Sequence, residues 1–270
     1  KNKYRNFEMK KNILITGGSG LVGNILVNNL KQKFNVRILD KKKSLDIETF
    51  IGDINDLQSI IPAFENIDTV VHLAGDRRVY SEWESVIENN INGVYNIYES
   101  AKINNLSRVV FASSQHATGA NYEIEPYSFI DKGNYNKVPN DYIPLDESTR
   151  IRPDSYYGAS KAFGEALGSY YSDYFNLSTI NLRIGWVISD DDPSFSPASL
   201  NLWLSHRDLS QIVEKSINAP KNIKYETFYA TSDNYWKIWS IDKAKKILNY
   251  KPEDSAPKNF KEREIRDADK

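Results

Sequence analysis

The stretch "ITGGSGLVG" at residues 15–23 gives up side chains at three evenly spaced positions, Gly17, Gly20 and Gly23, directly after the apolar run Ile13, Leu14, Ile15. A buried strand must run into a turn here, and the turn must open a helix, "GLVGNILVNNLKQK" at 20–33. The chain therefore starts with the first half of a βαβ unit. One glycine would serve a turn that needs positive φ. Three at this spacing also serve a second purpose, because a bare backbone lets a diphosphate approach a helix N-terminus, where free N–H groups and the helix dipole favour anions.

The alternation continues along the chain. Strands are expected at 12–17, 35–40, 48–54, 68–75, 108–114 and 178–185, with long helices at 82–104 and 155–175. These strands carry no internal polar alternation, which predicts a parallel sheet covered on both faces. The fold class is α/β: a Rossmann-type doubly wound parallel sheet with a small C-terminal substrate-binding region. Residues 1–8 read as an extension, 9–185 as a dinucleotide-binding domain, and 186–270 as the substrate-binding region and tail. That last part holds one more strand at 224–232 and a helix at 240–250 capped by Ser240. Residues 120–153 lack periodicity and form a long excursion beyond the fifth strand, where ligands bind in such sheets.

Composition excludes several function classes. With 35 basic and 36 acidic side chains, a net charge of −1 exerts no long-range pull on nucleic acid, so an anionic ligand must be held by local groups. The absence of cysteine removes disulfides, thiolate metal sites and a cysteine nucleophile. His72, His116 and His206 do not show metal-ligand spacing, and no metal is expected. No apolar run approaches the roughly 20 residues that cross a bilayer, and "KNKYRNFE" lacks a secretory apolar stretch. A soluble cytoplasmic protein without nucleic-acid or membrane partners is expected.

Asp40 ends the second strand about 20 residues after the glycines, where a carboxylate can accept both adenosine ribose hydroxyls and repel a 2′-phosphate. This favours NAD over NADP, although Lys41, Lys42 and Lys43 follow it, and Asp40 is also a plausible turn residue. Asp53 is open to two readings, an acceptor from the adenine amine or an ordinary Asx turn. In "SYYGASK", Tyr157 and Lys161 lie four apart and share one helix face. An ammonium beside a phenol favours the phenolate and is expected to lower its pKa. A tyrosine tuned that way can take a proton from a carbinol. Ser114, ending "FASS", would face the same crevice.

With these motifs together, "TGGSGLVG", "HLAG", "NNINGVYN", "FASSQHATG", "YYGASK" and "LRIG", the sequence resembles the extended short-chain dehydrogenase/reductase family (the epimerase/dehydratase family) over roughly residues 10–255. The resemblance implies that Ser114, Tyr157 and Lys161 form the catalytic set and that Asn90 supports a proton relay. It also implies cofactor contacts from Gly17, Gly20, Leu21, Val22, Gly23, Asp40, Asp53, Ile54, Leu73, Ala74, Gly75, Asn90, Tyr157 and Lys161. Within the family the chain is most similar to uronate dehydrogenases and archaeal NAD-dependent glucose-6-phosphate dehydrogenases, which oxidise the anomeric carbon of a sugar to a lactone. The uronate enzymes have a serine where Arg77 stands and an asparagine where Gln115 stands; an added cation suits a phosphate.

The same resemblance puts Arg77, Ser114, Gln115, His116 and Arg183 in the substrate pocket, Arg183 matching an arginine that holds a substrate carboxylate. The alternative for Arg183 is a buried pair with a nearby acid. For His116 a structural role stands equally open, His72 reads as a satisfied core residue, and His206 and Arg207 either reach a sugar or cap a helix. Two other functions compete. A nucleotide-sugar epimerase or dehydratase usually has a longer C-terminal part than the 85 residues after Gly185, and a non-catalytic NAD-binding regulator typically loses the Tyr or the Lys that this chain keeps. The family analogy also implies a homo-oligomer, a dimer through helices 82–104 and 155–175.

Overall fold

The first strand, β1 (Asn12–Thr16), is buried on both faces, with Ile13, Leu14 and Ile15 fully enclosed. Its side chains alternate between two cores, as strand geometry requires: Ile13 and Ile15 enter one and Leu14 the other. The computed structural model describes residues 10–44, 46–261, 265, 266 and 269. The expected extension at 1–8 and its boundary at Met9 lie outside them.

Six further strands follow: β2 (Asn35–Asp40), β3 (Thr49–Ile51), β4 (Thr69–His72), β5 (Arg108–Ser114), β6 (Ser178–Ile184) and β7 (Tyr225–Ala230). They form one sheet in the order β3-β2-β1-β4-β5-β6-β7, and every pairing is parallel. All carboxyl ends therefore fall on one edge. The order reverses between β1 and β4, which opens a crevice there.

The helices are α1 (Leu21–Leu30), α2 (Leu57–Ile60), α3 (Trp83–Val86), α4 (Gly93–Ile103), α5 (Tyr127–Asp131), α6 (Tyr156–Phe175), α7 (Pro197–Leu202), α8 (His206–Ile217) and α9 (Asp242–Leu248). One core packs α1, α8 and α9 against the sheet through Leu26, Leu30, Leu209, Ile212, Val213 and Ala244; the other packs α4 and α6 through Val94, Ile97, Tyr98 and Tyr171. Helix α6 lies close to β5 and to α4 because Gly164 leaves room for Phe111 and Gly168 for Tyr98. Among the described residues no helix is long and apolar enough to cross a membrane.

Four expectations change in detail. The helix expected at 82–104 is interrupted by a π-helical stretch, Ile87–Asn92, that carries Asn90. The strand expected at 48–54 shrinks to three residues at the sheet edge. The excursion at 120–153 is built rather than loose. A 3₁₀ segment (Gln115–Glu123), α5 and a turn (Tyr135–Lys137) pack Tyr122, Tyr127 and Tyr142 onto Trp186, Trp236 and Trp239. Finally, β7 and α8, both after Gly185, complete the sheet and one of its cores.

Candidate active site

At the glycine turn, Gly17 adopts φ +72° and donates to the Leu39 carbonyl, while a Cβ on Gly23 would lie 2.6 Å from Gly18 Cα. These two glycines serve the fold. Gly20 is different: a Cβ there would meet nothing closer than 3.4 Å. Its missing side chain answers no internal packing need, and it stands as the N-cap of α1 with no side chain closing the helix end. The N–H groups of Leu21 and Val22 face that opening at the positive end of the helix dipole. This arrangement fits a pyrophosphate. Asp40 stands beside the turn, its Oδ2 accepting from Ser19 N and its Oδ1 from Lys42 N, each at 3.0 Å.

The other expected cofactor residues divide. Leu73 and Ala74 both donate backbone N–H to Thr16 Oγ1, at 3.1 and 3.2 Å, which ties the end of β4 to β1 at the crevice. Ile54 is buried against Gly93. Asp53 forms an Asx turn with Asn55 and pairs with Lys41 at 2.8 Å. Burial raises its carboxyl, but these partners outweigh that and hold it below the usual range.

Asn90 acts as a clamp. Its Oδ1 accepts from Asp76 N at 2.7 Å, while Nδ2 donates to Asp76 O at 2.9 Å and Ser160 Oγ at 3.2 Å. Gly75, at φ +148°, lies against that amide. The π-helical turn thus aims Asn90 at the loop after β4 and fixes it to α6.

Ser114, Tyr157 and Lys161 converge as the motifs require. The Ser114 hydroxyl, which accepts from His116 N at 3.2 Å, is near enough to the Tyr157 phenol to favour its charged form, and Lys161 Nζ lies 5.3 Å from the centre of the Tyr157 ring. The expected lowering of the phenol pKa is corrected here. Burial pushes the phenol up to about 12, and the charges of Asp154 and Asp76 add to that, against lowering by Ser114 and Arg77. The Lys161 ammonium points at the Ala112 carbonyl (2.7 Å) rather than at the phenol oxygen, and burial lowers it to about 8.

His116 is turned toward the same place. Its Nδ1 meets Asp154 Oδ2 at 2.6 Å and its ring contacts the edge of Tyr157, with centroids 5.8 Å apart. Gly119 and Gly158 make this possible, since a Cβ on either would collide with Asp154 or the His116 carbonyl. Asp154 is a site residue that the sequence reading missed; its signal was its place three residues before Tyr157. Gln115 is buried, and its Oε1 has no partner among the described residues.

The two pocket arginines part company. Arg77 is exposed, has no hydrogen-bond or ion-pair partner among the described residues, and acts electrostatically on the Tyr157 phenol. Its neighbour Arg78 is instead bound through Nη2 to Asp76 at 2.6 Å. Arg183 is not at the surface of the crevice. It is 4% exposed and forks onto Glu165 through Nε (2.9 Å) and Nη2 (2.8 Å), the buried-pair alternative. A cavity of about 530 Å³ is lined by residues 79–82 and 153–156, Asp154 among them. His206 bonds the Ile188 carbonyl and Arg207 grips Asp254, so both brace the C-terminal part. His72 is only half satisfied: Nδ1 meets Thr16 Oγ1 at 2.7 Å, while Nε2 is buried without a partner among the described residues.

Residues 13–207 match the NAD dependent epimerase/dehydratase family. The chain belongs to that family. NAD is accordingly its cofactor. The chain is 34% identical to an NAD-dependent glucose-6-phosphate dehydrogenase of Haloferax volcanii, covering 92% of this chain and 95% of that protein. It is 32% identical to an L-arabinose 1-dehydrogenase (NAD(P)(+)) of the same organism, covering 90% and 97%. The structure of uronate dehydrogenase from Agrobacterium tumefaciens complexed with NAD superposes with a TM-score of 0.76 at 27% identity, covering 92% and 86%.

Proposed function

We propose that this chain is an NAD-dependent sugar dehydrogenase that oxidises C1 of a cyclic sugar to a lactone, and that its preferred sugar is a hexose 6-phosphate. The class rests on the family, the relatives and the convergent Ser114, Tyr157 and Lys161. The choice of sugar rests on one observation: Arg77 is a guanidinium unpaired among the described residues and within electrostatic reach of the Tyr157 phenol, next to an arginine that is already neutralised.

Ser114 holds the C1 oxygen, and the Tyr157 phenolate takes its proton. Lys161, fixed by Ala112, stabilises the phenolate. NAD, when bound, supplies the acceptor for the hydrogen and electron pair that leave C1. Gln115 Oε1 offers an acceptor for a sugar hydroxyl, His116 holds a second one with Asp154 behind it, and Arg77 takes the phosphate with charge-assisted bonds. Asp40 would reject a 2′-phosphate, which makes NADP the poorer cofactor.

A panel of hexose 6-phosphates, hexuronates and free aldoses with NAD and NADP, followed at the NADH absorbance, tests this reading. Glucose 6-phosphate with NAD should give stoichiometric NADH. Turnover of glucuronate and galacturonate alone would overturn the phosphate reading, and sugar conversion without net NADH would favour an epimerase.

A dimer is part of the proposal. Tyr95 and Ile103 on α4, and Phe163, Tyr170 and Tyr174 on α6, are all more than a third exposed on adjoining helices, a patch suited to a second copy. Sedimentation at a monomer mass would refute it.

A further inference from the structure

We propose that Arg183 is a positioning residue: anchored on Glu165, its buried guanidinium holds the turn that carries Ser114 and His116 through a one-way chain of hydrogen bonds. This rests on the site reading above and deepens it. Arg183 has spent Nε and Nη2 on Glu165, whose Oε1 also accepts from Ser113 Oγ at 2.6 Å. Glu165 follows Lys161 by one turn on α6, so the ion pair joins the catalytic helix to β5 and β6.

The remaining guanidinium nitrogen, Nη1, donates to Tyr229 Oη at 3.1 Å, and Tyr229 Oη lies 2.9 Å from Thr118 Oγ1. Thr118 Oγ1 in turn donates to the Gln115 carbonyl at 3.0 Å. Each hydroxyl has one proton. Because Thr118 gives its proton to Gln115, Tyr229 must give its own to Thr118, and Arg183 supplies the bond that Tyr229 accepts. The direction is thus fixed from cation to carbonyl, and each bond polarises the next. Arg183, Tyr229 and Thr118 are all buried, so no water competes. The chain ends on the residue between Ser114 and His116. On its other side the same turn is held by Arg152, through bonds to Ala117 and Ala120. Strand β7 therefore does more than complete the sheet, because it carries the Tyr229 hydroxyl to the catalytic loop.

Tyr229→Phe is the test, since it keeps the ring that stacks on Trp239 (4.6 Å between centroids) and removes only the hydroxyl. Thr118→Val cuts the next bond. In the NAD-loaded protein, each variant should raise amide hydrogen exchange across 115–123 at least threefold and leave β1 unchanged. Each should raise the sugar KM about three- to tenfold, in keeping with one hydrogen bond between uncharged groups, with the NAD KM within twofold. The double variant should do no more than the worse single, because both break one chain. Unchanged exchange at 115–123, or an NAD KM that rises with the sugar KM, would overturn the proposal. Exchange needs no sugar, so it decides this point even if no sugar on the panel reacts, a result that would count against the functional reading instead.

Discussion

Lys161 and Tyr157 meet with the ammonium 5.3 Å from the ring centre, and burial drives their proton affinities in opposite directions, the phenol up to about 12 and the ammonium down to about 8. The reactive form needs a phenolate beside an ammonium. Its population rises tenfold per pH unit until Lys161 titrates, then stays level until Tyr157 does. The limb belongs to the pair rather than to either residue. We expect kcat/KM to climb with unit slope to about pH 8 and then flatten. In Lys161→Met the flattening near pH 8 should vanish and the rise should continue past pH 10. Tyr157→Phe should lower kcat by about 10²- to 10⁴-fold with NAD binding by calorimetry unchanged.

Asp154 accepts from His116 Nδ1, an assignment that leaves Nε2 to the substrate. Asp154→Asn removes the anion and keeps the shape. The sugar KM should rise about tenfold, the worth of a hydrogen bond to a charged group, while the NAD KM and the pH 8 limb stay where they are. A shifted limb would mean that Asp154 also acts on Lys161, whose titration sets that limb, and not only on His116 and the phenol. Steady-state kinetics in both substrates across pH 6–10 measure this.

For Arg77 the contrast is between substrates. Arg77→Ala should cut kcat/KM for glucose 6-phosphate by about 10- to 100-fold more than for unphosphorylated glucose, which loses only the cation's contribution to the Tyr157 phenolate. Equal losses on both sugars would mean that Arg77 serves the loop rather than the phosphate. Because the group is exposed, raising the ionic strength should weaken phosphate binding in the wild type but not in the variant.

The parts of this molecule that were legible in the sequence are those set within one helical turn or one strand. Gly17 to Gly23 announce the first βα unit, and the spacing of Tyr157 and Lys161 places both on one face. What stayed hidden depends on residues far apart in the chain. Nothing near His116 points to Asp154, and nothing near Arg183 points to Glu165 rather than a ligand. The sign of the Tyr157 shift was misread for the same reason: a nearby lysine is visible in sequence, whereas the low-dielectric surroundings that outweigh it exist only after folding. The loop at 120–153 showed no period because its order comes from aromatic contacts with the last third of the chain.

His72 gives the fold an acid-sensitive point. Thr16 Oγ1 accepts N–H bonds from Leu73 and Ala74, so its own proton goes to His72 Nδ1, and Nε2 carries the ring hydrogen without an acceptor. A second proton would charge a fully buried ring facing Lys161; burial first, then that ammonium, lowers the histidine to about 3. The sign follows from proton counting. Between about pH 6.5 and 3 the unfolded chain binds a proton at His72 and the folded chain does not, so stability is full above pH 6.5 and falls as the pH drops. The slope from one such group reaches at most about 1.4 kcal/mol per pH unit. Urea unfolding at pH 7, 6 and 5 should show the wild type losing on the order of 1–2 kcal/mol across that range relative to His72→Asn. The variant starts less stable but should be flatter by that amount. Parallel pH curves for the two proteins would show that His72 is protonated in the folded state and that its burial carries no such penalty.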